Sequence, residues 1–170
     1  MGDLLYNYLF NFYSNNGNDK ILNDILNSDI SLRVIDWFVT NYSKKNDIYY
    51  YIKDKKINPN ESGTYINIYQ SYKMQLKSYS KRKFDPFCRR QRIIFKCGVL
   101  DIHTTIGQLN FFKWAIEYNI CDYINKYKEI IETDMNYSLD EDKKKKRQEL
   151  SKSAIRGVNK KKIKVTLTFS

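Results

Sequence analysis

Arg92-Ile-Ile-Phe-Lys-Cys-Gly-Val-Leu-Asp-Ile-His-Thr104 runs directly into Thr105-Ile-Gly-Gln-Leu-Asn-Phe-Phe-Lys-Trp-Ala-Ile116. The first stretch reads as a β-hairpin, Arg92 to Cys97 and Leu100 to Thr104, because residues of β propensity flank Gly98-Val99, a pair suited to a tight turn. The second reads as a helix, with Leu109, Phe112, Ala115 and Ile116 on one apolar face and Phe111 and Trp114 alongside. Thr105 and Gln108 stand at capping-box spacing, which predicts a hydroxyl and an amide satisfying each other's free backbone N–H groups. A hairpin feeding a helix places the chain in the α+β class. The expected fold is one small domain, a short antiparallel sheet that includes this hairpin, with helices packed on one side.

Upstream, Ile68, Tyr69, Tyr72, Leu76 and Tyr79 recur at helical spacing, and Lys73, Lys77 and Lys81 repeat every four residues on a neighbouring face. Pro86 ends any continuation. Asp47 to Lys53 is a predicted strand, and Asp54 to Thr64, with Pro59, Asn60 and Gly63, a predicted exposed loop. Ser31 to Lys44 has a helical apolar pattern, although its β-branched content also suits a strand. Residues 1–28 form two short helices broken at Asn15-Asn16-Gly17-Asn18, read as an arm packing on a core domain of residues 29–137.

Downstream, Asp122 to Met135 is a predicted helix. Charge then dominates, so residues 138–162 read as a basic flexible linker. In residues 163–170, Ile163, Val165, Leu167 and Phe169 alternate with polar residues, the pattern of a terminal strand. Such a strand either returns to its own sheet or adds to another protein's edge.

The 170 residues suffice for one domain with a real core, at about 70% of the unfolded surface buried. The net charge of +11 is unevenly spread: Tyr69 to Lys96 carries +8 and Leu139 to Ser170 carries +7, leaving −4 for the rest. An acidic body with two basic segments suits nucleic acid, an anionic surface or an acidic partner. A composition rich in Asn, Ile, Lys and Tyr explains surplus lysine without selection for binding. Arginine is different, because four of the seven arginines fall within eleven residues.

Those four sit in Lys81-Arg-Lys-Phe-Asp-Pro-Phe-Cys-Arg-Arg-Gln-Arg92, which holds six basic side chains and one carboxylate. Lys81, Arg82, Arg89, Arg90 and Arg92 are candidate phosphate contacts, since guanidinium groups engage phosphate bidentately. Phe84 and Phe87 either offer stacking surface or pack inward as an anchor around Pro86, leaving the arginines as an exposed rim. Lys143, Lys144, Lys145, Lys146 and Arg147 form an unbroken basic run that adds sequence-independent contacts or serves as a nuclear import signal.

Other chemistry finds little support. Cys88, Cys97, His103 and Cys121 could supply metal ligands, and Cys97 and His103 could face each other across the hairpin, but their spacing lacks the short knuckle of structural zinc sites. The expectation is therefore free thiols, no metal and no cofactor. A lone histidine with three unlinked cysteines is no recognisable nucleophile and base, and no glycine-rich phosphate cradle is present, so no catalytic residue is assigned. Three cysteines fit a reducing compartment. No apolar run approaches the roughly 18 residues of a membrane span, and the N-terminus lacks the basic and small-residue features of a secretory signal.

Asn67-Ile-Tyr-Gln-Ser-Tyr-Lys-Met-Gln-Leu-Lys-Ser-Tyr-Ser-Lys81, Phe84-Asp-Pro-Phe-Cys-Arg-Arg90, Thr104-Thr-Ile-Gly-Gln-Leu-Asn-Phe-Phe-Lys-Trp-Ala-Ile116 and Ile35-Asp-Trp-Phe-Val-Thr-Asn-Tyr42 resemble a family of small basic proteins from nucleocytoplasmic large DNA viruses. The family has no assigned function. The resemblance spans roughly residues 31–137 and the tail, and implies a protein made in infected cytoplasm, in the viral factory or virion, with the nucleus as a further destination. The combined expectation is a non-enzymatic nucleic-acid-binding protein of genome packaging or late transcription, contacting DNA or RNA without sequence preference. Its rival is a virion scaffold that holds a viral protein partner through the basic tail and terminal strand.

Overall fold

Polar side chains cap the start of four of the helices. The computed structural model describes residues 3–160 and 168, with residues 157–160 described by their backbone alone. Helix α1 (Leu4–Ser14) begins at Asp3, whose Oδ1 accepts from the Leu5 amide, and the predicted break at Asn16 and Gly17, both at positive φ, leads into α2 (Asn18–Leu26). Ser31 caps α3 (Leu32–Trp37) by accepting from the Val34 amide. The chain continues through a π-helical turn (Phe38–Tyr42) into α4 (Ser43–Lys45). Helix prevails over strand here because Val34, Ile35, Phe38 and Val39 form one buried face. The hydroxyls of Thr40 and Ser43 donate back to the carbonyls of Asp36 and Val39 around the widened turn.

Three strands follow: β1 (Tyr49–Lys53), β2 (Lys56–Asn58) and β3 (Thr64–Asn67), antiparallel in the order β2-β1-β3. Strand β2 lies within the predicted loop. Asp54 and Lys55, both left-handed, make the two-residue turn that pairs Lys53 with Lys56, a conformation usually supplied by Asn-Gly or Asp-Gly. The Lys55 carbonyl is held by Asn119 Nδ2 at 3.0 Å. Gly63, at φ 111°, must be glycine, since a Cβ there would lie 2.3 Å from the Ile52 carbonyl oxygen.

Asn67 caps α5 (Ile68–Lys83), which departs from helical geometry at Ser80 (φ 57°, ψ 169°). The predicted hairpin is β4 (Ile93–Cys97) and β5 (Leu100–Thr104), turning at Gly98-Val99 with Cys97 opposite Leu100. It forms its own two-stranded sheet, where the sequence suggests one sheet only. Helix α1 occupies the hairpin's apolar face instead, with the Tyr6, Phe10 and Tyr13 rings 5.9, 6.2 and 5.8 Å from the Phe95 ring. An isolated hairpin is marginal in water, so this cover is structural. The N-terminal helices thus belong to the core rather than to an arm, and residues 1–132 make one compact unit.

Helix α6 (Ile106–Glu117) lies at the centre, buried from Gly107 to Ala115. Its polar side chains must find partners inside the protein. Thr105 Oγ1 accepts from the Gln108 amide at 3.0 Å, the first half of the capping box. The second half does not form: Gln108 Nε2 donates to the Pro86 carbonyl at 2.9 Å, while its Oε1 accepts from Thr104 Oγ1 at 2.7 Å and Cys88 Sγ at 2.8 Å. Burial turns a local cap into a long-range clamp. Asn110 Nδ2 donates to the Lys83 carbonyl, Trp114 Nε1 to Ser71 Oγ, and the buried Tyr13 hydroxyl to the Leu109 carbonyl at 2.6 Å. Lys113 pairs with Glu117 beneath the Tyr8 and Phe12 rings.

The chain then forms α7 (Ile120–Lys126) and α8 (Lys128–Lys160). Tyr127 separates the two where one helix is predicted. Residues 139–160 are helical in place of a linker, because Lys, Arg, Gln, Glu, Leu and Ala are good helix formers and Asp140–Lys143 and Glu141–Lys144 pair one turn apart. The terminal strand predicted over residues 163–170 lies outside the described residues, Thr168 apart. Among the described residues, no helix is long and apolar enough to cross a membrane.

Two stability experiments follow from this core. Gln108→Leu keeps the volume but strips partners from Thr104, Cys88 and Pro86, so the urea midpoint should fall by the equivalent of about 2–3 kcal/mol at constant slope. A change under about 0.5 kcal/mol would refute the clamp. Burial raises the Tyr13 and Tyr50 hydroxyls and pushes Tyr72 and the Cys121 thiol up to about 12. The unfolded chain releases these protons first, at their ordinary values of 10.0 and 9.0, so stability is full below about pH 9 and declines from there towards 12. Tyr13→Phe should cost stability at neutral pH and flatten that alkaline decline, measured by denaturant titration at several pH values.

Candidate nucleic-acid interface

The arginine-rich segment departs from α5 at Ser80, so Lys81 leaves the row of Lys73 and Lys77 that the four-residue spacing predicts. Phe84, 1% exposed, then enters the core beside Tyr72, Phe111 and Trp114, with ring centroids 5.9, 5.2 and 5.5 Å away. The backbone is pinned residue by residue to α6. Lys83 O accepts from Asn110, Asp85 N donates to Gly107 O at 3.2 Å, and Pro86 O accepts from Gln108. Gly107 permits this approach, since a Cβ there would sit 3.1 Å from the Arg82 carbonyl oxygen. The inward anchor expected from Phe-Pro-Phe is present in Phe84 and Pro86. Phe87 is only half-buried.

Outside this anchor, Lys81, Arg82, Lys83, Arg89, Arg90 and Arg92 are all exposed. They are not equivalent. Arg82, Lys83 and Arg90 line one cleft of about 350 Å³ with Asp3, Tyr6, Gln91, Thr105 and Ile106. Arg89 is engaged within its own segment, 3.4 Å from Asp85 and with its guanidinium 4.4 Å from the centre of the Phe87 ring. It also opposes the effect of burial on Asp36, whose carboxyl is raised above the ordinary value by desolvation. Arg92 stands just before β4, and Lys81 just after the kink.

In α8, Lys143 lies 3.7 Å from Asp140 and Lys144 lies 3.2 Å from Glu141, while Lys145, Lys146 and Arg147 are exposed. Regular helical spacing distributes these five charges around the helix instead of along one face.

The thiols serve separate neighbourhoods. Cys88 donates to Gln108, Cys97 lies 3.2 Å from Ser14 Oγ, and Cys121 is buried. His103 is exposed and paired across the hairpin with Ile94, not Cys97, because the tight turn sets Cys97 opposite Leu100. Among the described residues, no three His, Cys, Asp or Glu side chains are grouped to hold a metal ion.

Two features were not anticipated from the sequence. Gln108 and Asn110 orient the arginine segment, although a polar residue in an apolar helix reads first as its solvent side. Tyr49, Tyr51 and Tyr65 share one exposed sheet face, which the two-residue spacing of Tyr49 and Tyr51 could have signalled.

Comparison with known proteins gives a relative in the uncharacterized protein L507 of Acanthamoeba polyphaga mimivirus, 44% identical over 144 residues. The alignment covers 79% of this chain and 53% of the relative, so the chain spans about half the length of the curated protein it matches. No solved structure matches. The profile of a family of unknown function, DUF7197, matches residues 2–139, a span that contains the whole arginine segment and stops short of Lys143 to Arg147. With its relative in a mimivirus, the chain belongs to DUF7197, a viral family of unassigned function.

Proposed function

We propose that this protein binds nucleic acid without catalysing a reaction, contacting phosphates through the rim of Lys81, Arg82, Arg90 and Arg92, in packaging or late transcription of a viral genome in the host cytoplasm. The observation that carries this reading is the convergence of Arg82, Lys83 and Arg90 on one cleft, on a backbone pinned to the central helix. Cationic side chains presented by an ordered backbone lose less conformational entropy on binding than the same charges on a free tail. Counterion release from the duplex then supplies affinity with little sequence preference, and the α8 run adds contacts of the same kind. Arg89 plays a different part. Its guanidinium neutralises Asp85 and stacks on Phe87, so it shapes the rim and contributes little to binding.

A salt titration of binding to a short DNA duplex and its RNA counterpart tests this. The logarithm of affinity should fall linearly with the logarithm of salt concentration, and Arg82→Ala/Arg90→Ala should reduce the slope by about 2. Arg89→Ala should leave the slope nearly unchanged and lower stability by at most about 1 kcal/mol. An unaltered slope in the double variant would remove the cleft from the interface. Absence of binding at low salt would end the proposal.

A further inference from the structure

The three-stranded sheet turns one face inward and leaves the other open. Tyr50 and Ile66, partners across β1 and β3, are buried. One residue along, Tyr51 and Tyr65 are partners on the opposite face, and Tyr49 shares that face by the two-residue alternation of a strand. Tyr49 and Tyr65 are 51% and 53% exposed. Tyr65 lies between its neighbours, with ring centroids 5.6 Å from Tyr49 and 5.5 Å from Tyr51. Three adjacent rings are thus presented outward on a hydrogen-bonded frame.

The same face ends in a charge pair of one sign. Lys53 is directly opposite Lys56, an arrangement that destabilises a hairpin unless something neutralises it. Among the described residues, neither ammonium group is in an ion pair with a carboxylate. An anion would relieve that repulsion. Beyond Asn58, where β2 stops, a cleft of about 670 Å³ opens beside Tyr49 and Tyr51 and reaches Tyr123 and Tyr127. Glu61 and Asp122 line it together with Lys56 and Lys126, so its charges balance and its tyrosines suit an uncharged planar group, with Lys56 joining the cleft to the lysine end.

We propose that this face binds single-stranded nucleic acid, with bases stacked on Tyr49, Tyr51 and Tyr65 and the backbone phosphates led over Lys53 and Lys56. A duplex cannot use the rings, because its base faces are already stacked on one another. A single strand presents them free, and stacking tolerates any base. A protein partner would also cover the rings, but the unneutralised lysine pair favours a polyanion carrying flat groups. This surface is built from residues other than those of the arginine cleft and does not depend on it.

The test uses the full chain, a dye-labelled short oligothymidylate and a duplex of equal length at low salt, read by fluorescence anisotropy. Tyr49→Leu/Tyr65→Leu should weaken oligothymidylate binding about tenfold or more and leave duplex binding within about twofold. Tyr49→Phe/Tyr65→Phe, which keeps the rings, should bind as the parent does. Should the leucine variant lose its thermal transition, Lys53→Ala/Lys56→Ala supplies the reading instead, with weaker oligothymidylate binding and a shallower salt dependence. The proposal is overturned if oligothymidylate is not bound, the result expected of a face that takes only protein. It is also overturned if the folded leucine variant, or the alanine variant that replaces it, binds oligothymidylate as the parent does, or if duplex affinity falls in step.

Discussion

A helix buried on every side cannot leave its polar side chains to water, and that constraint on α6 organises the rest of the molecule. Gln108, Asn110 and Trp114 each reach a group on another segment, and the Leu109 carbonyl receives the Tyr13 hydroxyl. The partners lie on α1, α5, the end of the hairpin and the segment after Ser80. One helix therefore sets the relative positions of four elements through directional bonds, where apolar packing alone would tolerate sliding. Phe84, Phe111 and Trp114 fill the space between those bonds.

The functional reading follows from where these bonds end. Two of the carbonyls that α6 holds, those of Lys83 and Pro86, bracket the buried Phe84 and lie between the exposed residues 81–83 and 89–92. Strong inward contacts thus coexist with six exposed basic side chains over twelve residues. The electrostatic division of the chain, a weakly acidic body with two basic segments, acquires a structural meaning for the first of them: its charge is displayed by an ordered surface. The second is carried by α8, where charges are spread around a helix.

Local rules made much of the fold legible. The hairpin turn at Gly98-Val99, the hydroxyl cap at Thr105, the break at Asn16-Gly17 and the end of α5 before Pro86 each depend on a few neighbouring residues. What the sequence concealed depended on distant partners. Gln108 has the spacing of a reciprocal cap, but its side chain is recruited by Pro86 and Thr104 once the helix is buried. Strand β2 has only three residues and hides among turn formers, held by its register with β1 and by Asn119. The basic run after Asp142 reads as unfolded by net charge, whereas helix propensity and one-turn ion pairs favour α8. Of the candidate site, the arginine cluster was visible as composition, but its division into a cleft of Arg82, Lys83 and Arg90 and a self-engaged Arg89 was not. That division depends on Asp85, Phe87 and the approach of Thr105 and Ile106, none of which spacing alone discloses.

The central claim is that a polyanion meets the protein on the segment anchored by α6. Hydrogen exchange at backbone amides, recorded with and without a short DNA duplex, tests it most directly. Added protection should concentrate in residues 81–92, while the amides of α6, already protected in the free protein, stay unchanged. Protection confined to residues 143–147, or none anywhere, would contradict the account.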